Sequence, residues 1–145
     1  MISYTWALEM YLSGAWVDVS ADVRATPQSL SRGLDGSGIT DRVAKVGTLS
    51  FNLDNSTGNS ASKLGYYSPD NTANCRATFG IGTLTRLKIV YSGTTYYKFY
   101  GKIADINPLP GAYKERYVSV QCVDFMNELL VHNVNKIAVR TTKRG

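Results

Sequence analysis

The residue types that most often carry chemistry are sparse in this chain. His132 is the only histidine, and the two cysteines, Cys75 and Cys122, are far apart. A zinc site needs closely spaced Cys and His ligands, and no such spacing is present. A Ser-His-Asp triad would have to use His132, and no G-x-S-x-G elbow exists to seat a nucleophile. Asp54-Asn55-Ser56-Thr57-Gly58-Asn59 has the oxygen-rich character of a calcium loop. An EF-hand loop wants Gly at its sixth position and a bidentate Glu at its twelfth. Here Gly58 is fifth and the twelfth position is Gly65, so a strand-ending turn fits better than a cation site. Gly80-Ile81-Gly82-Thr83 precedes a strand-like run, without the helix N-terminus that phosphate-cradling glycines require. Asp and Glu are scattered, and no spacing singles out a glycosidase pair. The reading is a non-enzymatic protein with no cofactor.

The tyrosines offer more. Tyr91, Tyr96, Tyr97, Tyr100, Tyr113 and Tyr117 fall on or beside strand-like runs in the second half. Simple alternation puts Tyr96 and Tyr100 on one face with Lys98 and Lys102, opposite Tyr97 and Phe99. An aromatic and basic face suits a protein partner, a sugar or single-stranded nucleic acid. Cross-strand packing without any ligand accounts for it equally well.

The elements that would position these residues are mostly strands. Leu49, Phe51 and Leu53 alternate with Ser50 and Asn52 in the run Ala44–Leu53, the period-two signature of a half-buried strand. Ser3–Leu12 reads as a strand, with Trp6, Leu8 and Met10 on one face. Ser13-Gly14 turns it into Ala15–Val19, which brings Trp16 close. Asp18–Asp22 reads as a corner, Ala25–Leu30 as a further extended piece and Gly33–Thr40 as a loop. Asn55–Gly82, rich in Asn, Ser, Thr and Gly, is the least regular part. Its Leu64–Tyr67 and Ala77–Phe79 pieces are expected to pack down, because long structureless loops are uncommon in compact domains. Leu84–Tyr91, the Ser92-Gly93 turn and Thr95–Ile106 form the strongest hairpin signal. Asn107–Gly111 is a second turn, and Tyr113–Val123 is a strand with Val118, Val120 and Cys122 inward. Asp124 is placed to cap a short helix over Phe125–Val131.

Composition agrees. The 145 residues are 43% hydrophobic and 19% charged, with ten Tyr, thirteen Gly and four Pro, a globular domain richer in strands and turns than in helices. The fold expected is mainly β, an antiparallel barrel or sandwich with one short helix near the C-terminus. The formal charge is +5, but His132–Gly145 holds four basic residues and no acidic one. The rest is nearly balanced, so a basic tail following a domain over 1–131 is favoured and nucleic acid is not an expected partner. A Cys75–Cys122 disulfide is possible, though the spacing does not favour it. The N-terminus lacks a basic n-region and reaches Glu9 early, unlike a secretory signal peptide. No apolar run is long enough to span a bilayer, so synthesis in the cytoplasm is expected.

Three pieces read in order carry a resemblance: W-V-D-V-S-A-D-V (Trp16–Val23), G-T-L-S-F-N-L-D-N (Gly47–Asn55) and V-S-V-Q-C-V-D-F-M-N-E-L (Val118–Leu129). Between them F-Y-G-K-I-A-D-I (Phe99–Ile106) is similar to the F-x-G-x-I strand of the same group. Together they resemble the N-terminal part of tail structural proteins of long-tailed bacteriophages and prophages, of the hub or baseplate type. The resemblance implies β-barrel domains that assemble as a ring, typically a trimer, and join the tail tube to distal tail, tip or fibre proteins. It also implies a virion location and a longer protein, with 132–145 as the start of a further domain. No catalytic residue is implied. Within that reading the candidate contact residues are Tyr96, Lys98, Tyr100 and Lys102 on the strand face, with Asp54, Asn55, Tyr66 and Tyr67 in and beside the loop. The competing reading is a carbohydrate-binding β-sandwich in which Tyr96 and Tyr100 stack sugars.

Overall fold

The structure is a computed structural model that describes residues 4–24, 29–35, 43–110 and 116–131. It is mainly β, and the described residues form seven antiparallel strands in one sheet and one short helix. The strands are β1 (Tyr4–Leu12), β2 (Ala15–Asp18), β3 (Ser29–Asp35), β4 (Val43–Asp54), β5 (Leu84–Tyr91), β6 (Thr94–Leu109) and β7 (Tyr117–Asp124). The helix α1 covers Met126–Val131. Spatial order is β2-β1-β5-β6-β7-β4-β3, so β2 and β3 are edges and the sheet does not close. The sheet is nevertheless strongly curled. The corner after β2, a single 3-10 turn at Ser20–Asp22, bonds to β1 through Val19 N–H to Leu8 O and to β4 through Arg24 N–H to Asn52 O.

Two hairpins form as their sequences require. Ser13-Gly14 and Ser92-Gly93 each have both central residues at positive φ (50° and 87°, 49° and 79°), the turn geometry that matches the right-handed twist of the flanking strands. The inner face of the curl carries the alternating apolar positions: Leu8 and Met10, Leu49, Phe51 and Leu53, Leu87, Val118, Val120 and Cys122. Registers place Leu8 opposite Leu87, Phe51 opposite Val120 and Leu49 opposite Cys122. Tyr67 and Phe79, from the irregular Asn55–Gly82 segment, plug the same core. Both expected packing pieces of that segment therefore go down. Losing one central aromatic such as Phe51 costs about 3–5 kcal/mol, a large share of an ordinary domain's stability of about 5–15 kcal/mol.

The longest strand departs from simple alternation. In β6, Phe99 lies opposite Leu87 while Tyr97 lies opposite Lys88, so Lys98 is an extra residue in a bulge. A second bulge falls between Ile103 and Asp105. Each bulge reverses which parity faces inward. Tyr96 pairs with Ile89 on the inner face, Phe99 and Ile103 are buried, and beyond Ala104 it is Ile106 that turns in. The expected grouping of Tyr97 with Phe99 and Ile103, and of Tyr96 with Tyr100, is overturned by the bulge at Lys98.

Other expectations shift at element ends. β3 runs through Gly33 to Asp35, where a loop is expected, with a bulge between Ser31 and Gly33. β6 continues to Leu109 through Pro108, where a turn is expected. Beyond Lys102 it has no β5 partner, so a residue without an N–H is tolerated on that free side. The helix begins one residue later than expected, with Met126 N–H donating to Asp124 Oδ1 at 3.0 Å. Residues 25–28, 36–42, 111–115 and the basic 132–145 segment with His132 lie outside the described residues, so the expectations placed there do too.

Two glycines mark where elements approach too closely for a side chain. A Cβ on Gly101 would lie 2.1 Å from the Val123 carbonyl oxygen, and one on Gly47 would lie 2.5 Å from an Asp124 carboxylate oxygen. Gly101 faces rigid backbone, so Gly101→Ala must displace β7. Urea unfolding should show a loss of about 1–3 kcal/mol, the range of overpacked cores. Gly80→Ala, which meets nothing within 4 Å, should stay within about 0.5 kcal/mol of wild type.

Candidate interaction surface

The irregular segment is held by one buried carboxylate. Asp22 is 3% exposed. Its Oδ1 accepts the Ser60 N–H at 2.7 Å, and its Oδ2 accepts the Ser60 hydroxyl at 2.7 Å and the Tyr67 hydroxyl. Arg76 donates to the Tyr67 oxygen at 2.7 Å and stands 3.9 Å from Asp22. The Arg76 guanidinium also lies over the Tyr66 and Tyr67 rings, at 5.5 and 5.9 Å. Burial, and then the hydrogen bond to Asp22, push the Tyr67 phenol well above its ordinary value, so it stays protonated as a donor.

These contacts decide the loop candidates. Asn55 is buried, with its amide bonded to Ser68 Oγ and its Oδ1 accepting the Tyr67 N–H. Tyr67 is fully buried. Both are therefore corrected from contact residues to supports of the loop. Asp54 closes its own turn by accepting from the Ser56 N–H and hydroxyl. Tyr66 is half-buried against Tyr67. Among the described residues no three His, Cys, Asp or Glu side chains converge to hold a metal ion. Cys75 and Cys122 are both free thiols, and burial pushes the Cys122 thiol up to about 12.

The outer face of the sheet carries the second cluster. Register places Trp16 opposite Tyr11 and Tyr100 opposite Arg86. Rings then follow one another in contact: Tyr11 to Trp16 at 5.4 Å, Trp16 to Tyr100 at 5.8 Å, and Tyr100 to Phe125 at 5.3 Å. The Arg86 guanidinium lies between Trp16, 4.1 Å from its ring centre, and Tyr97, at 5.2 Å. It is fixed there by Glu9, which is directly opposite in β1 and accepts from Arg86 Nε and Lys88 Nζ, both at 2.5 Å. Lys102 pairs with Glu128 of α1. Tyr97 is 57% exposed, Tyr100 46% and Leu129 61%. This is a continuous aromatic surface with a clamped arginine, the composition that distinguishes interface cores.

Of the strand-face candidates, Tyr100 and Lys102 belong to this surface. Tyr96 and Lys98 do not: Tyr96 faces the other side, with the Lys98 ammonium 5.4 Å from its ring centre. The two-tyrosine platform of Tyr96 and Tyr100 expected for sugar stacking is not formed. Trp16, Arg86, Tyr97, Phe125 and the Glu9 clamp are not among the contact candidates the sequence offers, although Tyr97 stands among its strand tyrosines and Trp16 close across the Ser13-Gly14 turn. Only register brings them together, and the local signal available was the aromatic content of the hairpins. The chain matches no protein-family model and no curated protein.

Two expectations follow. Asp22→Ala strips the acceptor from Ser60 and from the buried Tyr67 hydroxyl, so urea unfolding should show a loss of about 2–4 kcal/mol. Hydrogen exchange should rise first at Ser60 and Tyr67. Glu9 gives a pH signature. Burial alone would raise its carboxyl, but the hydrogen bonds and charges of Lys88 and Arg86 outweigh that and hold it below its ordinary value of 4.5. Its stabilisation is therefore complete above 4.5 and is lost as pH falls through the lower folded value. Glu9→Gln should cost about 1–2 kcal/mol near neutrality, between the exposed and buried ion-pair ranges. Unfolding midpoints measured from about pH 7 to about pH 3 should show the variant and wild type converging in acid.

Proposed function

We propose that this chain is a virion structural domain of the tail hub or baseplate type. It assembles with copies of itself and joins the tail tube to tip proteins. The observation that carries an assembly role is the outer aromatic surface, where Tyr97, Tyr100, Phe125 and Leu129 are exposed around the clamped Arg86. A monomer rarely exposes so contiguous an apolar patch without a use for it. The tail assignment itself rests on the ordered sequence resemblance. It is supported by the structural duty of the motif residues. Asp18 accepts the Ser20 N–H, Ser20 accepts the Leu8 N–H, and Asp22 holds the loop. Gly47 packs on Asp124, and Gly101 packs on Val123. Contacts of this kind maintain a scaffold, which is the duty a structural domain asks of them.

The test is in the particle and in solution. Mass spectrometry and imaging of purified tails should find the protein in the tail tip. Light scattering of the intact protein at high concentration should give more than a monomer's mass. The Tyr97→Ala, Tyr100→Ala double variant should keep its unfolding midpoint yet enter tails at least about tenfold less, as expected when interface aromatics are truncated. A protein that stays monomeric and is absent from tails overturns the proposal.

A further inference from the structure

The inner face of the sheet is core along most of its length, but it opens at the β5–β6 hairpin end. There Tyr4, Ile89, Tyr91, Tyr96 and Lys98 line a groove of about 370 Å³. Tyr4 is 64% exposed. Lys98 lies over the Tyr96 ring, and no ion pair engages it among the described residues. Arg32 lines the neighbouring cleft with Tyr97, Phe99 and Asp124 and donates to the Lys98 carbonyl oxygen at 2.9 Å, so Lys98 is the charge at this groove. The nearby Asp124 carboxylate is already engaged by the Gly47 and Met126 N–H groups. The groove is thus aromatic in its walls and positive at its rim, and it suits a small apolar residue beside a carboxylate.

The chain presents such a pair at its other end. Asn71 N–H bonds to Ser68 O, which makes Ser68-Pro69-Asp70-Asn71 a tight turn with Pro69 and Asp70 at its tip. Both tip residues are exposed, and no ion pair engages Asp70 among the described residues. Ser68 and Asn71 line a cleft together with Pro108, Leu109 and Pro110, at the far end of β6 from Lys98. The strand between Lys98 and Pro108 is roughly 30 Å long, at about 3.3 Å per residue. One molecule therefore cannot fill its own groove with its own turn. The segment 132–145 is a poor occupant on charge, since it carries basic residues and no acidic one.

We propose that the groove receives the Pro69-Asp70 turn of a second copy, with Pro69 against the tyrosine rings and Asp70 paired with Lys98. The contact joins unlike ends of two molecules, so it is heterologous and generates a ring if the rotation closes and a filament if it does not. The turn is preformed, which limits the ordering cost of docking. The inference rests on the self-association reading and adds to it which surfaces meet.

A charge swap tests it on the intact chain. Asp70→Lys and Lys98→Glu each place like charges together, and each should weaken association at least about tenfold by light scattering, with unchanged circular dichroism. An equimolar mixture of the two variants should regain association through contacts between unlike chains, at every contact in a filament or even-numbered ring and at all but one in an odd-numbered ring, because each turn finds a groove of opposite charge only on the other variant. The double variant, which restores opposite charges at every contact, should recover the wild-type mass. Association that neither single variant weakens overturns this contact and leaves self-association standing. A wild-type chain that stays monomeric at every concentration overturns both.

Discussion

A buried carboxylate on a short corner holds this structure together. Asp22 sits on the 3-10 turn that links β2 toward the rest of the sheet, and its oxygens accept the Ser60 N–H, the Ser60 hydroxyl and the Tyr67 hydroxyl of the irregular segment. Burying a charge is costly unless its hydrogen bonds are made, so Ser60 and the Tyr67 hydroxyl are fixed in position by the cost of losing them. Tyr67 in turn carries its ring into the core against Phe79, at 5.2 Å. A segment with no strand or helix thereby acquires one defined conformation. The corner itself is tied to β1 and β4, so the same short stretch sets the curl of the sheet and anchors the loop.

The outer face shows a related economy of parts. Glu9 is buried beneath Arg86 and Lys88, and by accepting hydrogen bonds from both it holds the Arg86 guanidinium between Trp16 and Tyr97. An arginine held in this way loses little further freedom on meeting a partner. Rigid aromatics and a fixed arginine are the groups that dominate binding energy at protein interfaces. The face is therefore suited to association in a way that a scatter of single exposed tyrosines would not be.

The bulge at Lys98 separates this face from the inner groove. One inserted residue reverses the parity on either side of it, so Tyr97 joins Tyr100 on the outer face and Tyr96 joins Phe99 on the inner one. The strand thus presents aromatic residues on both faces of one sheet, with its lysines divided between them. An uninterrupted strand would have placed Tyr96, Lys98, Tyr100 and Lys102 in a single stripe, opposite Tyr97 and Phe99.

The sequence alone determined the strands, their approximate limits and the two Ser-Gly hairpins, because alternation and turn chemistry act within a few residues. It also made plain that Asn55–Gly82 is irregular but packed, and that Asp124 begins the late helix. The tertiary structure alone decided the rest. The Lys98 bulge depends on how β6 registers against β5, and the Glu9 clamp depends on β1 lying beside β5. The partners of Asp22 stand 38 and 45 residues away. Pairings of that separation leave no mark in local periodicity, since they arise only when the folded sheet brings distant residues opposite one another. For that reason Asn55 and Tyr67, which look like loop residues free to meet a partner, are the ones most deeply committed to the fold.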